Sequence, residues 1–243
     1  MNFDIAYRYA PPPVIQIVRH ATEIASANPL LSRQQNPYPP STFSKRFKLI
    51  ANVIDRAQDI LPPIHGWALQ GADIGAGLNS AVLNNTTPGQ IFYQNGTANE
   101  VYHQAFNILT DTSSPPIPYG IVMHYPHDTE KVVGLGVDIG TGTSGITLTN
   151  PPYPMVELSV PRSRLVACKQ NIPYYPLKRE FAVVKAFRDQ DVPDGCVWIE
   201  FLPQCAELPE LPAGRIATHE FANRGICFED PARIHWIKYS EVR

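Results

Sequence analysis

Charged residues are scarce in this chain, and the scarcity excludes several classes of function. They make up 17% of the 243 residues and leave a net charge of −2, whereas an average soluble domain is roughly 25% charged. Nucleic acids and anionic membrane surfaces are bound by basic stripes, which need an excess of Lys and Arg. We therefore expect no nucleic-acid partner.

Long apolar runs and a secretion signal are also missing. No stretch approaches the roughly 18 apolar residues of a membrane-spanning helix. The N-terminal MNFDIAYRYAPPP lacks the basic start and apolar stretch of a signal peptide. We expect no membrane span and a cytoplasmic or intracellular location. Glycosylation triplets begin at Asn84, Asn85 and Asn95, but they would be modified only in a secretory compartment.

Cysteine is limited to four residues in the last third of the chain: Cys168, Cys196, Cys205 and Cys227. They lack the paired CxxC spacing of a zinc site, so we expect no metal. An even count is compatible with two disulfides in an oxidising compartment. We nevertheless expect isolated buried thiols, because unpaired cysteine is among the most buried residue types.

Proline and hydrophobic periodicity predict helices in the first part of the chain. A proline triplet introduces an apolar face over 13–27. A second helix is predicted from Ser41 or Thr42 to Leu61, because apolar residues recur at spacings of three and four. The capping box Thr97 to Glu100 begins a third, ending near residue 110. The intervening 64–96 predicts a long ordered loop or a short strand pair.

The period changes after residue 112. Short β-branched or aromatic segments, separated by Pro, Gly and Asn or Asp, predict strands at 119–125, 131–138, 145–149, 155–160, 180–187, 196–202 and 233–239. Helices followed by strands predict an α+β fold. Its mainly helical part would be 1–112, and its mainly β part, 113–243, would form an antiparallel sheet or a small barrel or sandwich. We expect one compact unit.

The glycine-rich segment 134–145, GLGVDIGTGTSG, is the best candidate for a ligand-binding loop. It resembles the first phosphate-binding loop of the actin, heat-shock chaperone and sugar-kinase group. The resemblance is confined to this segment. It implies that Asp138 approaches the metal and that Gly140, Thr141 and Gly142 contact phosphate. The residues alone favour a wide turn between two strands, in which glycines supply positive φ.

A cysteine hydrolase or deamidase is one enzymatic alternative. Such an enzyme needs a thiolate, a base and an orienting group. Cys196 follows a Pro-Asp-Gly turn at the head of a predicted strand, and His219 is the candidate base. Glu200 or Glu220 could orient the imidazole. The competing interpretation is that Cys196 is a small apolar filler on a half-buried strand.

A second alternative rests on the opening segment FDIAYRYAPPP, which resembles the first strand of ADP-ribosyltransferase toxins. The resemblance implies NAD as the substrate that donates ADP-ribose. In that family pattern Arg8 would grip the NAD phosphates, and Glu220 would stabilise the developing oxocarbenium ion. The Ser-Thr-Ser strand and the paired Glu-x-Glu of that family are not found in the sequence.

The interpretation we favour is a structural or interaction protein, a subunit of a larger assembly or particle. Its positive support is a set of proline-bounded apolar loops that could pack against partners as stiff edges, at 151–156, 171–177 and 206–212. We therefore expect a protein partner or self-association.

Overall fold

The computed structural model describes residues 39–86, 88–112, 114–125, 131–150, 155–176, 179–189, 191–207, 211, 215–234 and 239. These residues belong to one unit of the chain, Asn36–Arg243. The helix predicted over 13–27 lies outside them, as does most of the strand predicted over 233–239.

Strands dominate the described part of the chain. They are β1 (Thr42–Ser44), β2 (Phe47–Val53), β3 (Ala68–Gly75), β4 (Leu78–Asn84), β5 (Phe92–Asn95), β6 (Asn107–Thr112), β7 (Ile117–His124), β8 (Val132–Ile139), β9 (Thr147–Leu148), β10 (Leu158–Ser159), β11 (Arg164–Asn171), β12 (Glu180–Phe187), β13 (Cys196–Cys205), β14 (Ala222–Asn223) and β15 (Gly225–Cys227). One short α-helix, α1 (Ala98–Tyr102), and two 3₁₀ turns, Arg56–Gln58 and Pro231–Arg233, accompany them.

Nine of these strands close into an antiparallel β-barrel. Hydrogen-bonded pairing runs from β11 through β13, β2, β5, β6, β7, β8, β4 and β12, and returns to β11. The hairpin partner β3 lies between β2 and β4. Two small pairs, β1 with β15 and β9 with β10, and the edge strand β14 complete the described sheets.

The barrel interior is filled by alternate residues of its strands. In β8, Val133, Leu135 and Val137 belong to the main apolar core, because successive side chains of a strand point to opposite faces. In β12, the same alternation places Val184 and Ala186 inside. Each such strand therefore presents its intervening residues on the outer surface, where the candidate site lies.

The helix predicted between residues 41 and 61 is wrong. The segment instead forms β1, β2 and the turn Arg56–Gln58. Phe43 and Leu61, two of the apolar residues on which the helix prediction rested, are exposed. Alternate residues of β2 lie in the barrel core, which is a strand pattern, whereas the spacings of three and four over the whole segment favoured a helix.

The third predicted helix is correct only at its start. Thr97 and Glu100 form the expected capping box around α1, but the helix ends at Tyr102. None of its residues is buried, and Gln104 has a positive φ of 54°, which interrupts a right-handed helix. Ile108 then enters the barrel core from β6.

The predicted α+β class is therefore wrong, because the described chain is a β-barrel with almost no helix. Four of the nine barrel strands lie within residues 1–112, the part predicted to be helical: β2, β4, β5 and β6. The next barrel strand, β7, begins at Ile117. The sheet pairs β6 with β7 across that position, so the barrel draws on both sides of the boundary between the predicted helical and β parts.

Candidate functional site

The glycine-rich loop crosses the outer face of β7. Gly140 donates its N–H to Pro118 O at 3.0 Å, and Thr143 donates its N–H to Ile121 O at 2.8 Å. Between these anchors the loop passes directly over Gly120, where a Cβ would overlap the backbone of Gly142. Gly142 has a φ of 75°, so glycine is required on both sides of the crossing.

Asp138, on the outer face of β8, is a buried carboxylate held by two partners. Its Oδ1 accepts the backbone N–H of Asn79 at 2.8 Å, and its Oδ2 lies 3.1 Å from His124 Nε2. The imidazole of His124 is about half exposed, with 48% of its side chain accessible. Gly136 forms the floor beneath that ring, since a Cβ there would collide with His124 Nε2.

This arrangement gives the residues of the proposed phosphate loop a structural role. Asp138 joins β8 to the first residues of β4 and to His124, and the N–H groups of Gly140 and Thr143 are used within the protein. Ligand binding by Asp138, Gly140, Thr141 and Gly142 stays a prediction.

Cys196 is bonded to Cys168, its neighbour across the β11–β13 pair. Cys205 is bonded to Cys227, and no cysteine of the chain is free. The expectation of isolated thiols is therefore wrong. The disulfide also removes the thiol that the hydrolase hypothesis assigned to Cys196, because only a thiolate acts as the nucleophile.

His219 belongs to a different group of side chains. Its Nε2 lies 2.6 Å from Asp111 Oδ2, and Tyr93 donates its hydroxyl to Asp111 Oδ1 at 3.1 Å. Burial, reinforced by the charge and hydrogen bond of Asp111, raises the pKa of Tyr93. The backbone N–H groups of Ile216 and Ala217 both donate to Pro116 O. Together these contacts fasten the segment that contains His219 to the barrel.

The structure describes one of the two residues of the ADP-ribosyltransferase hypothesis. Arg8 lies outside the described residues. Glu220 is exposed on the turn after His219, where its N–H donates to Thr218 Oγ1 at 3.2 Å. Use of NAD by this pair stays a prediction.

Three exposed apolar residues lie at or beside the turn of the β3–β4 hairpin, and we call this group the hairpin surface: Leu78, Ile139 and Tyr174. Leu78 is 44% exposed, Ile139 50% and Tyr174 60%. Gly75 lies against the Tyr174 ring and Gly77 against Ile139, and Ile139 donates its N–H to Gly77 O at 2.9 Å. Tyr174 and Ile139 therefore each lie against a glycine of the turn that Leu78 follows.

A second layer of rings supports Tyr174. Its ring centroid lies 5.7 Å from that of Tyr175, which lies 4.9 Å from that of Phe181. The guanidinium of Arg179 stacks 4.8 Å from the Phe181 ring centroid. Such edge and cation contacts hold aromatic side chains in place, so Tyr174 is an ordered exposed group.

The sequence identified only part of this surface. Tyr174 lies in the proline-bounded loop 171–177, which was predicted to contact a partner. Leu78 and Ile139 were not singled out. The sequence signal that could have located this hairpin is the Gly-Ala-Gly turn between Ile74 and Leu78, because such turns join hairpin strands.

Within the described ranges, no group of three or more His, Cys, Asp or Glu side chains could hold a metal ion. No helix in that part of the chain is long and apolar enough to cross a membrane.

Comparison with known proteins identifies two similarities. The family described as "Domain of unknown function (DUF7907)" matches residues 44–205, which contain all nine barrel strands. The chain is also 35% identical over 223 residues to "Antigenic protein SchS34" of Stachybotrys chartarum. That alignment covers 88% of this chain and 99% of the relative. No solved structure matches.

Proposed function

This chain belongs to the DUF7907 family, and we propose that it is a non-enzymatic interaction protein that assembles with a second copy of itself through the hairpin surface. The observation that carries the proposal is the exposure of Leu78, Ile139 and Tyr174 around a single ordered turn. Exposed apolar patches rimmed by polar residues commonly mark protein contacts.

The polar rim supports a protein contact. Asp73, next to the turn, is exposed, and Lys169 pairs with Glu180 at 2.9 Å. Asp73 lies on β3, and the Lys169–Glu180 pair joins β11 to β12, the two strands that the loop of Tyr174 connects. Tyr and Arg are also enriched in protein interfaces, and Tyr174 and Arg179 supply both here.

The small net charge favours a second copy as the partner. At −2 over the whole chain, two copies repel each other weakly, and a net charge near zero promotes association. A two-fold contact would place the same patch on each copy, so Tyr174 of one copy would meet the hairpin turn of the other. Each copy would then cover the apolar groups of its partner.

The test is the oligomeric state of matched variants. We expect light scattering after size-exclusion chromatography to show a dimer or larger oligomer for the wild-type chain. The double variant Tyr174→Ser, Leu78→Ser should be a monomer. Tyr102→Ser is the control, because Tyr102 is 82% exposed but lies on α1. A wild-type monomer at high concentration, or equal dissociation of the control, would refute the proposal.

The disulfides add a second element to the proposal. We place the maturation of the chain in an oxidising compartment, such as the lumen of the endoplasmic reticulum, instead of the cytoplasm. Support comes from the pairing of all four cysteines, because disulfides form and persist in such compartments.

A further inference from the structure

Three glycosylation triplets remain without a role in the proposed assembly. Two of them overlap where β4 ends: Asn84-Asn85-Thr86 and Asn85-Thr86-Thr87. The third begins at Asn95, the last residue of β5. Each satisfies the Asn-x-Ser/Thr acceptor rule. The three asparagines differ in the contacts that their side chains make in the folded protein.

Asn84 and Asn95 use their amide groups inside the fold. Asn84 donates its Nδ2 to Gln70 Oε1 at 3.2 Å and accepts both the N–H and the hydroxyl of Thr86 at its Oδ1. Asn95 donates its Nδ2 to Asn107 Oδ1 across the β5–β6 pair. A sugar on either Nδ2 would crowd the oxygen to which that nitrogen donates, Gln70 Oε1 or Asn107 Oδ1.

Asn85 is placed differently. It is exposed in the turn that follows β4, where a bulky hydrophilic group can extend into solvent. The strand register also separates it from the hairpin surface, because β3 and β4 pair Ala68 with Asn84 at one end and Gly75 with Leu78 at the other. A glycan on Asn85 would leave the proposed self-association surface free.

We propose that Asn85 carries an N-linked glycan. Its Nδ2 attacks C1 of the first sugar of a lipid diphosphate oligosaccharide. The new N–C1 bond replaces the bond from C1 to the diphosphate oxygen, the lipid diphosphate leaves with that electron pair, and Nδ2 gives up one proton. This inference rests on the oxidising-compartment element of the proposed function.

The experiment expresses the full chain behind a leader peptide in a eukaryotic secretory host. The wild-type protein should migrate more slowly than the same protein treated with peptide-N-glycosidase. Thr87→Ala should abolish the shift, because it removes only the triplet that begins at Asn85. Thr86→Ala is the matched control, since it removes only the triplet of Asn84, and Asn95→Gln is a second control. Both should retain the shift.

Peptide mass spectrometry of the wild-type protein gives an assignment that does not depend on how the variants fold. We expect enzyme-dependent deamidation at Asn85. A glycan-free secreted chain, or a shift that survives Thr87→Ala, would overturn the inference. Thiol titration of the same material distinguishes the causes, because a chain with both disulfides and no glycan refutes only the glycan. Light scattering of the deglycosylated protein tests self-association separately.

Discussion

Gly120 and Gly142 lie backbone against backbone where the glycine-rich loop passes over β7. A Cβ on Gly120 would overlap the nitrogen and Cα of Gly142, and a Cβ on Gly142 would lie 2.8 Å from Ile121 O. The closeness of these two main chains, which only glycine permits, determines how the loop leaves β8.

Replacing Gly120 should therefore destabilise the barrel strongly. We expect Gly120→Ala to lower the free energy of unfolding by about 3 kcal/mol, because the new methyl group meets backbone that cannot rotate away. Urea unfolding measures the effect. Gly134→Ala is the control, since its Cβ would make only ordinary contact with His124. An equal loss in both variants would contradict the crossing described here.

The contacts of Asp138 predict unequal effects at the two ends of its pair with His124. Asp138→Ala leaves the partly buried N–H of Asn79 without its acceptor, so we expect a loss of about 2 kcal/mol in unfolding free energy. His124→Ala should lose less than about 1 kcal/mol, because that imidazole is half exposed. Chemical denaturation of both variants checks the order, and a larger loss for His124→Ala would contradict it.

The hydrogen-bonded pair of His219 and Asp111 should hold the segment 215–223 on the barrel. Both side chains are largely buried, and removing one partner of such a pair costs about 2 kcal/mol. We expect Asp111→Ala to expose the segment and to speed tryptic cleavage at Arg224. Arg233→Ala is the control, because it removes an exposed pair with Asp230. Unchanged cleavage in Asp111→Ala would contradict this prediction, because it would show that other contacts hold the segment on the barrel.

His65 predicts a specific loss of stability in acid. Burial, with a smaller contribution from Arg56, lowers the pKa of His65 from its usual 6.5. Its Nδ1 accepts the N–H of Val53 at 3.3 Å, which requires an unprotonated Nδ1. Below pH 6.5 the unfolded chain binds a proton that the folded chain resists. This contribution to stability is therefore complete above that pH and declines as the pH falls towards the lowered folded value.

The measurement compares the pH dependence of unfolding in the wild type and in His65→Gln. Both should lose stability in acid, because other groups also titrate, but the loss should be smaller in the variant. The difference between the two curves isolates His65. Parallel curves from neutral pH down to about pH 5 would contradict the prediction.

The disulfides predict a thiol count and a stability effect. A thiol reagent should find no free thiol in the denatured, unreduced chain and four after reduction. Replacing Cys205 and Cys227 together with Ser should cost about 3 kcal/mol, because the bridge limits the freedom of the unfolded chain. Calorimetry and urea unfolding check the second effect. A free thiol in the wild type would contradict the pairing.

The C-terminal strands could be predicted because their alternation appears within each segment. The predicted 180–187 coincides with β12, and the predicted 131–138 differs from β8 by one residue at each end. β11 was missed because its apolar run, 165–168, is only four residues long and is flanked by the charged residues Arg164 and Lys169. In the fold Arg164 stacks 4.1 Å from the Trp198 ring centroid, and Lys169 pairs with Glu180. Those partners lie on other strands, and local periodicity does not reveal them.

The N-terminal part was mispredicted for the opposite reason. In β2 the apolar residues alternate, but over the longer segment 43–61 apolar residues also recur at spacings of three and four, so a helical period fits the sequence as well. Pairing with β13 decides between them, and that partner lies far along the chain. Likewise, the glycine-rich segment singled out Asp138 as a candidate site residue. Its partners His124 and Asn79 could not be predicted, because they reach Asp138 only through the pairing of strands.

Strand β13 begins at Cys196 and ends at Cys205, so a disulfide leaves each end of the same strand. One bridge encloses the chain from Cys168 to Cys196 and the other encloses the chain from Cys205 to Cys227. A protease that nicks the backbone inside either enclosed stretch creates two polypeptides that remain one covalent molecule. Such a cut protein keeps its mass until it meets a reductant, and its fragments separate only then.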